Sequence, residues 1–174
     1  MTELMKGKRG LVMGVANDHS IAWGIAKALA DHGAELAFTY QGEALGRRVK
    51  PLAESVGGKI VLPCDVEDIA SVDATFDAVK KQWGTMDFLV HAIGFSDKNE
   101  LKGRYADTTR KNFERTMVIS CFSFTEAAKR AAIDRLAPMT CVAAAPGCAT
   151  WPAESWSKSS FCSVTHLSKQ PSVT

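Results

Sequence analysis

Gly14-Val-Ala-Asn-Asp-His-Ser20-Ile21-Ala22-Trp23-Gly24 closely follows the apolar run Leu11-Val12-Met13. An apolar strand that enters a small-residue turn, with a helix opening at a serine, aims backbone N–H groups and a positive helix end at one place. The chemistry that suits such a place is the binding of a pyrophosphate, and so of a dinucleotide. Gly14 falls where the chain must turn beneath the phosphate, a natural position for a residue without Cβ. Ser20 can cap the helix and offer its hydroxyl to a phosphate oxygen, while the Ile21 N–H points outward. The same residues also fit an ordinary strand–turn–helix with a serine cap. Because the loop is poorer in glycine than GxGxxG, the motif alone leaves both readings open.

Three further stretches fall at strand ends. Asp65-Val66 is expected at the carboxyl edge of a parallel sheet, where ligands of such folds bind. An acid there could accept from an adenine amino group or cap the next helix. Gln41 ends the second strand pattern, where an adenosine ribose would lie; a neutral side chain suits a 2′-OH better than a 2′-phosphate. His91-Ala92-Ile93-Gly94-Phe95 closes the fourth strand pattern. Small Ala92 and Gly94 admit a cofactor closely, Phe95 can wall a pocket, and His91 reads as a packed strand histidine. His19 reads as part of the turn.

The elements that must position these residues alternate. Strand patterns cover Arg9–Met13, 34–40, 59–64 and 86–92; helical patterns cover 20–32, 43–55, Ile69–Trp83 and 109–132, with a polar loop at 96–108. The first helix is expected to face the core with Ile21, Ile25, Ala28 and Leu29, and the last with Phe113, Met117, Phe124, Ala128 and Ala131. Strands separated by helices predict an α/β fold, a Rossmann-type doubly wound parallel sheet in its N-terminal half, with strand order 3-2-1-4. From about residue 133 the pattern ends: 137–146 could be a fifth strand, and the rest reads as an irregular C-terminal tail.

Composition narrows the partners. With 174 residues, 23% charged and a formal net charge of +2, the chain calls for neither nucleic acid nor an anionic membrane. No run approaches the roughly 18 apolar residues of a membrane span, and the N-terminus lacks an apolar signal core. Five cysteines without CxxC spacing read as reduced thiols. No metal site is expected.

Taken together, Gly14-x5-Ser20-Ile21-Ala22-x-Gly24, Ala34-Glu-Leu-Ala-Phe-Thr-Tyr-Gln41, Cys64-Asp65-Val66 and Val90-His-Ala-Ile-Gly-Phe95 resemble the NADH-dependent enoyl-acyl-carrier-protein reductases of bacterial type II fatty acid synthesis. That family is a branch of the short-chain dehydrogenase/reductases, oxidoreductases of lipid metabolism. The resemblance runs from about residue 6 to 132. It implies a cytoplasmic homotetramer in which NADH passes hydride to the β-carbon of a trans-2-enoyl thioester carried on acyl carrier protein. By position it implies cofactor contacts at Gly14, Ser20, Ile21, Gln41, Asp65, Val66 and Ile93, a shared cleft lining at Ala92, Gly94 and Ile119, and a substrate-side role for Ser96. Gln41 favours NADH over NADPH, with Arg47 and Arg48 leaving some room for the latter.

The resemblance also implies a tyrosine after the fifth strand, with a lysine seven residues later. This chain has two tyrosines, Tyr40 and Tyr105, both too early, and neither is followed by a lysine at that spacing. No catalytic residue is therefore assigned. Residues 1–132 are expected to form the dinucleotide-binding half and 133–174 a tail outside the family, truncated or out of frame. The chain is expected to be an inactive fragment of the reductase. The alternative is a non-catalytic NAD(H)-binding or interaction module with a new tail.

Overall fold

The computed structural model describes residues 3–133, 140–143 and 151–152. Four short apolar runs build its centre: β1 (Arg9–Met13), β2 (Glu35–Tyr40), β3 (Ile60–Pro63) and β4 (Phe88–His91). Leu11, Val12, Met13, Ala37, Phe38, Leu89 and Val90 are wholly or almost wholly buried. Continuous burial, rather than alternation, is what a parallel sheet covered on both faces demands. Val12 lies opposite Phe38 on one side and Val90 on the other, all strands parallel.

The sheet order is β3-β2-β1-β4-β5-β6, so the expected 3-2-1-4 arrangement is present. β5 (Thr140–Ala143) joins β4 in parallel, and β6 (Trp151–Pro152) joins β5 antiparallel. The tail expected to be irregular lies outside the described residues except for these two strands and Ile133. Strand order reverses between β1 and β4, and the crevice at that reversal is where ligands of open α/β sheets bind.

Side chains alternate across the sheet and separate two cores. On one face Leu11, Met13 and Leu89 meet Val72, Phe76 and Val79 of α3 (Ile69–Trp83). On the other, Val12, Phe38 and Val90 meet Ala22 and Ala26 of α1 (Ile21–Asp31) and Val49 and Ala53 of α2 (Gly42–Ser55). α3 starts at a cap, Asp68 accepting from the Ala70 N–H at 3.0 Å, and ends at Gly84 with φ 73°.

Two helical faces differ from expectation. In α1 the buried positions are Ala22 and Ala26, Ile25 and Leu29 are only partly covered, and Ile21 and Ala28 face solvent. The helix lies close to the sheet on its alanines, so its contact face is rotated from the bulkiest stripe. The last helix is not uniform. α4 (Arg110–Met117) passes through a π turn at Val118–Phe122 into α5 (Ser123–Ile133). One extra residue per turn shifts the phase. Hence Asn112 is buried while Phe113 and Met117 are exposed, and beyond the turn Ala127, Ala128 and Ala131 face the core. Of the expected stripe, Ala128 and Ala131 are buried and Phe124 is partly covered.

Candidate dinucleotide-binding site

At the carboxyl ends of β1 to β4 lies a cleft of about 210 Å³. Eight residues expected at the site line it: Gly14, Gln41, Asp65, Val66, Ala92, Ile93, Gly94 and Ile119. Gly14 adopts φ 103°, and a Cβ there would stand 2.2 Å from the Ala92 carbonyl oxygen. Glycine is thus required twice, by backbone conformation and by the close approach of the β1 and β4 ends. Gly94 faces open space, with no atom within 4 Å of where a Cβ would be.

Ser20, Ile21 and Ser96 do not line the cleft. Ser20 occupies the N-cap position of α1, but its hydroxyl makes no capping bond to the helix. It donates to the Asn17 carbonyl at 2.6 Å and accepts from the Ala16 N–H at 3.4 Å. The serine therefore ties the turn together, because the Asn17 carbonyl folds back within its reach. Its carbonyl accepts from Trp23 and Gly24 at 3.0 and 3.2 Å. The N–H groups of Ile21 and Ala22 belong to the first turn, which has no intrahelical acceptor for them. The Ile21 side chain is 71% exposed. Ser96 lies just beyond the rim, its hydroxyl accepting from Asn112 Nδ2 and Thr116 Oγ1, both at 3.3 Å.

Gln41 and Asp65, 24 residues apart, meet at the sheet edge: Gln41 Nε2 donates to Asp65 Oδ2 at 3.1 Å. The other carboxylate oxygen accepts from the Glu67 N–H at 3.0 Å. Asp68, not Asp65, caps α3, which leaves Asp65 to the cleft. Amide and carboxylate together present both donor and acceptor atoms beside the apolar Val66, Ile93 and Ile119.

His91 is 2% exposed, as a packed strand histidine should be. Its Nε2 lies 2.8 Å from Ser123 Oγ, which donates to the Ile119 carbonyl at 2.6 Å, and its ring meets Phe124 edge-on. Burial pushes the imidazole pKa down to about 4, so the ring is neutral near pH 7. Burial likewise raises the thiol of Cys64, which lines the cleft beside Asp65. His19 is exposed on the turn, 3.7 Å from Asp18. Among the described residues no group of three or more His, Cys, Asp or Glu could hold a metal.

Sequence reasoning passed over Glu67 and Arg115. Arg115 Nε and Nη2 donate to Glu67 Oε1 and Oε2 at 2.8 and 2.7 Å, and both residues line the cleft. These bonds hold the Glu67 carboxyl below its usual range and raise Arg115. A separation of 48 residues leaves no local signal for such a pair. Phe95, expected as a wall, does line the cleft.

A cleft at the switch point of a doubly wound sheet, turned on a glycine and edged by an amide–carboxylate pair, belongs to an α/β protein of the Rossmann type. A family model described as enoyl-(acyl carrier protein) reductase matches residues 14–145. The chain belongs to that family. It is 78% identical over 132 residues to enoyl-acyl-carrier-protein reductase (NADH) 2 of Rhizobium meliloti strain 1021, covering 76% of this chain and 49% of the relative. Enoyl-acyl-carrier-protein reductase (NADH) 1 of the same strain is 62% identical over 128 residues, covering 74% and 47%. Among solved structures, FabI from Candidatus Liberibacter asiaticus is 61% identical with TM-score 0.74, covering 76% of this chain and 51% of that one. The Anaplasma phagocytophilum enoyl reductase, solved with NAD, is 56% identical with TM-score 0.73, covering 75% and 50%. The chain spans about half the length of the curated relatives it matches. Among the described residues no helix is long and apolar enough to cross a membrane.

Proposed function

We propose that the cleft binds NADH and that the chain carries the cofactor half of an NADH-dependent enoyl-acyl-carrier-protein reductase. The observation that carries this is the convergence of Gly14, Gln41, Asp65 and Ile93 on one cleft at the strand-order reversal. The donor set suits the ligand. Gln41 and Asp65 can hydrogen-bond ribose hydroxyls and an adenine amino group, Val66 and Ile119 offer apolar faces to a purine, and the open approach at Gly94 admits a close ligand. The Ile21 and Ala22 N–H groups at the positive end of α1 suit a pyrophosphate. Neutral Gln41 favours NADH over NADPH, since it carries no charge for a 2′-phosphate.

When bound, NADH supplies a hydride; the chain's own residues bind and orient its adenosine end. The resemblance calls for a later tyrosine–lysine pair, and Tyr40 and Tyr105 are the only tyrosines. We therefore expect the 174-residue chain by itself to bind NADH without turnover. The dinucleotide-binding unit is taken as residues 1–132, with 133–174 as a tail from which Thr140–Ala143 and Trp151–Pro152 join the same sheet. Acyl carrier protein as substrate carrier, a homotetramer and a cytoplasmic location belong to the same proposal. They are drawn from the relatives' names and the resemblance.

The test is titration with NADH and NADPH, followed by addition of crotonyl thioester. Saturable binding that is tighter for NADH, with no loss of absorbance at 340 nm above background, is the expected result. Robust turnover would overturn the inactive-fragment reading. No binding of either nucleotide would overturn the site.

A further inference from the structure

Three segments of the cleft meet in one contact. Glu67 comes from the loop after β3, Arg115 from the end of α4 and Phe95 from the segment after β4, and each lines the cleft. Besides its two bonds to Glu67, the Arg115 guanidinium carbon stands 4.6 Å from the centroid of the Phe95 ring. Phe95 is itself anchored, its N–H donating to Ser120 Oγ at 3.0 Å and its carbonyl accepting from that hydroxyl at 3.2 Å. A bidentate fork and an aromatic ring together fix the plane of a guanidinium, not merely its charge. A half-exposed ion pair of this kind returns little stability for the side-chain freedom it costs. Its position on the cleft gives it a different use.

We propose that Arg115 contacts the adenine of the bound nucleotide, its guanidinium plane, set by Glu67 and Phe95, stacking on the purine ring. This rests on the NADH reading above and deepens it. Asp65 and Val66 immediately precede Glu67, so the loop that would meet the adenine edge is the loop that holds the guanidinium. Ile119, one turn beyond Arg115, supplies an apolar surface in the same cleft. Planar cations stack on aromatic faces, and a single ring such as Phe95 can cover at most one of the two guanidinium faces. Asp65, Glu67 and Asp97 all act on Arg115, so its charge is largely balanced. What remains to offer a ligand is a plane for a neutral base, not a free charge for an added phosphate.

The test is calorimetric titration of the 174-residue chain with NADH, AMP and nicotinamide mononucleotide. It compares the wild type with Arg115→Leu, Arg115→Lys and Glu67→Gln. Loss of one base stack weakens binding by about tenfold or more. Arg115→Leu should therefore weaken AMP and NADH by that factor and leave nicotinamide mononucleotide unchanged. Arg115→Lys should not rescue, because a point charge lacks the plane. Glu67→Gln, nearly isosteric, should weaken AMP severalfold, and it carries the test if an Arg115 variant fails to fold by far-UV circular dichroism. A wild type that binds NADH, with AMP affinity within about twofold in Arg115→Leu or fully restored in Arg115→Lys, overturns the stack and leaves the NADH reading standing. A wild type that binds neither NADH nor AMP overturns both.

Discussion

Gly14 and Gly24 share one motif, and replacing each by alanine should move stability in opposite directions. At Gly14 the backbone φ of 103° is one that a side chain rarely adopts, and the added Cβ would stand 2.2 Å from the Ala92 carbonyl oxygen and 2.5 Å from its carbon. The conformational penalty is about 1–3 kcal/mol. Overpacking against backbone that belongs to the sheet adds about 1–3 kcal/mol. Gly14→Ala should therefore destabilise by roughly 4 kcal/mol, a large share of the roughly 5–15 kcal/mol that holds a domain together. Gly24 lies inside α1, exposed, with nothing within 4 Å of its added Cβ. There alanine removes backbone freedom from the unfolded chain and should stabilise by about 0.5–1 kcal/mol. Urea unfolding followed by tryptophan fluorescence reads both, through midpoints compared at constant slope. The reasoning is refuted if Gly14→Ala stays within about 0.5 kcal/mol of wild type, or if the two variants shift the midpoint the same way.

Other outcomes follow from the same geometry. His91 holds its folded pKa at about 4, below the ordinary 6.5, so the unfolded chain takes up the proton first. Stability from this group is complete above pH 6.5 and falls on acidification, by about 2 kcal/mol at pH 5; urea midpoints that do not change between pH 7 and 5 would contradict it. Gln41→Ala removes the side chain proposed to bond a ribose hydroxyl and should weaken NADH by roughly three- to tenfold, the worth of about one neutral hydrogen bond. Equal NADH affinity in that variant, by the same titration, would remove Gln41 from the site. Exposed Cys121 should react with a disulfide reagent at pH 7 well before buried Cys64. Mass mapping of the modified peptides reads the order, and labelling of Cys64 first would contradict the burial.

Much of the fold was legible in the chain. Arg9–Met13 and Ile69–Trp83 are the elements their apolar spacing predicts, and Gly84 ends α3 as expected. The phase of a helix was less so. Periodicity marks an apolar stripe but not how close the helix sits to the sheet, and α1 rests on Ala22 and Ala26 instead of Ile21 and Ala28. Nor does composition announce the π turn at Val118–Phe122, where the Ser123 hydroxyl donates to the Ile119 carbonyl and meets His91 from a strand 32 residues earlier.

By itself the sequence determined the order of strands and helices, the glycine at the end of β1 and the residues that gather at the sheet's carboxyl edge. Those follow from local chemistry: which residues alternate, which cap and which tolerate a turn. Tertiary structure alone decided which of them touch. Gln41 meets Asp65 across 24 residues and Arg115 meets Glu67 across 48, because parallel strands bring their ends together however far apart they lie along the chain. It also turned the Ser20 hydroxyl from the helix to its own loop, since the Asn17 carbonyl lies 2.6 Å away.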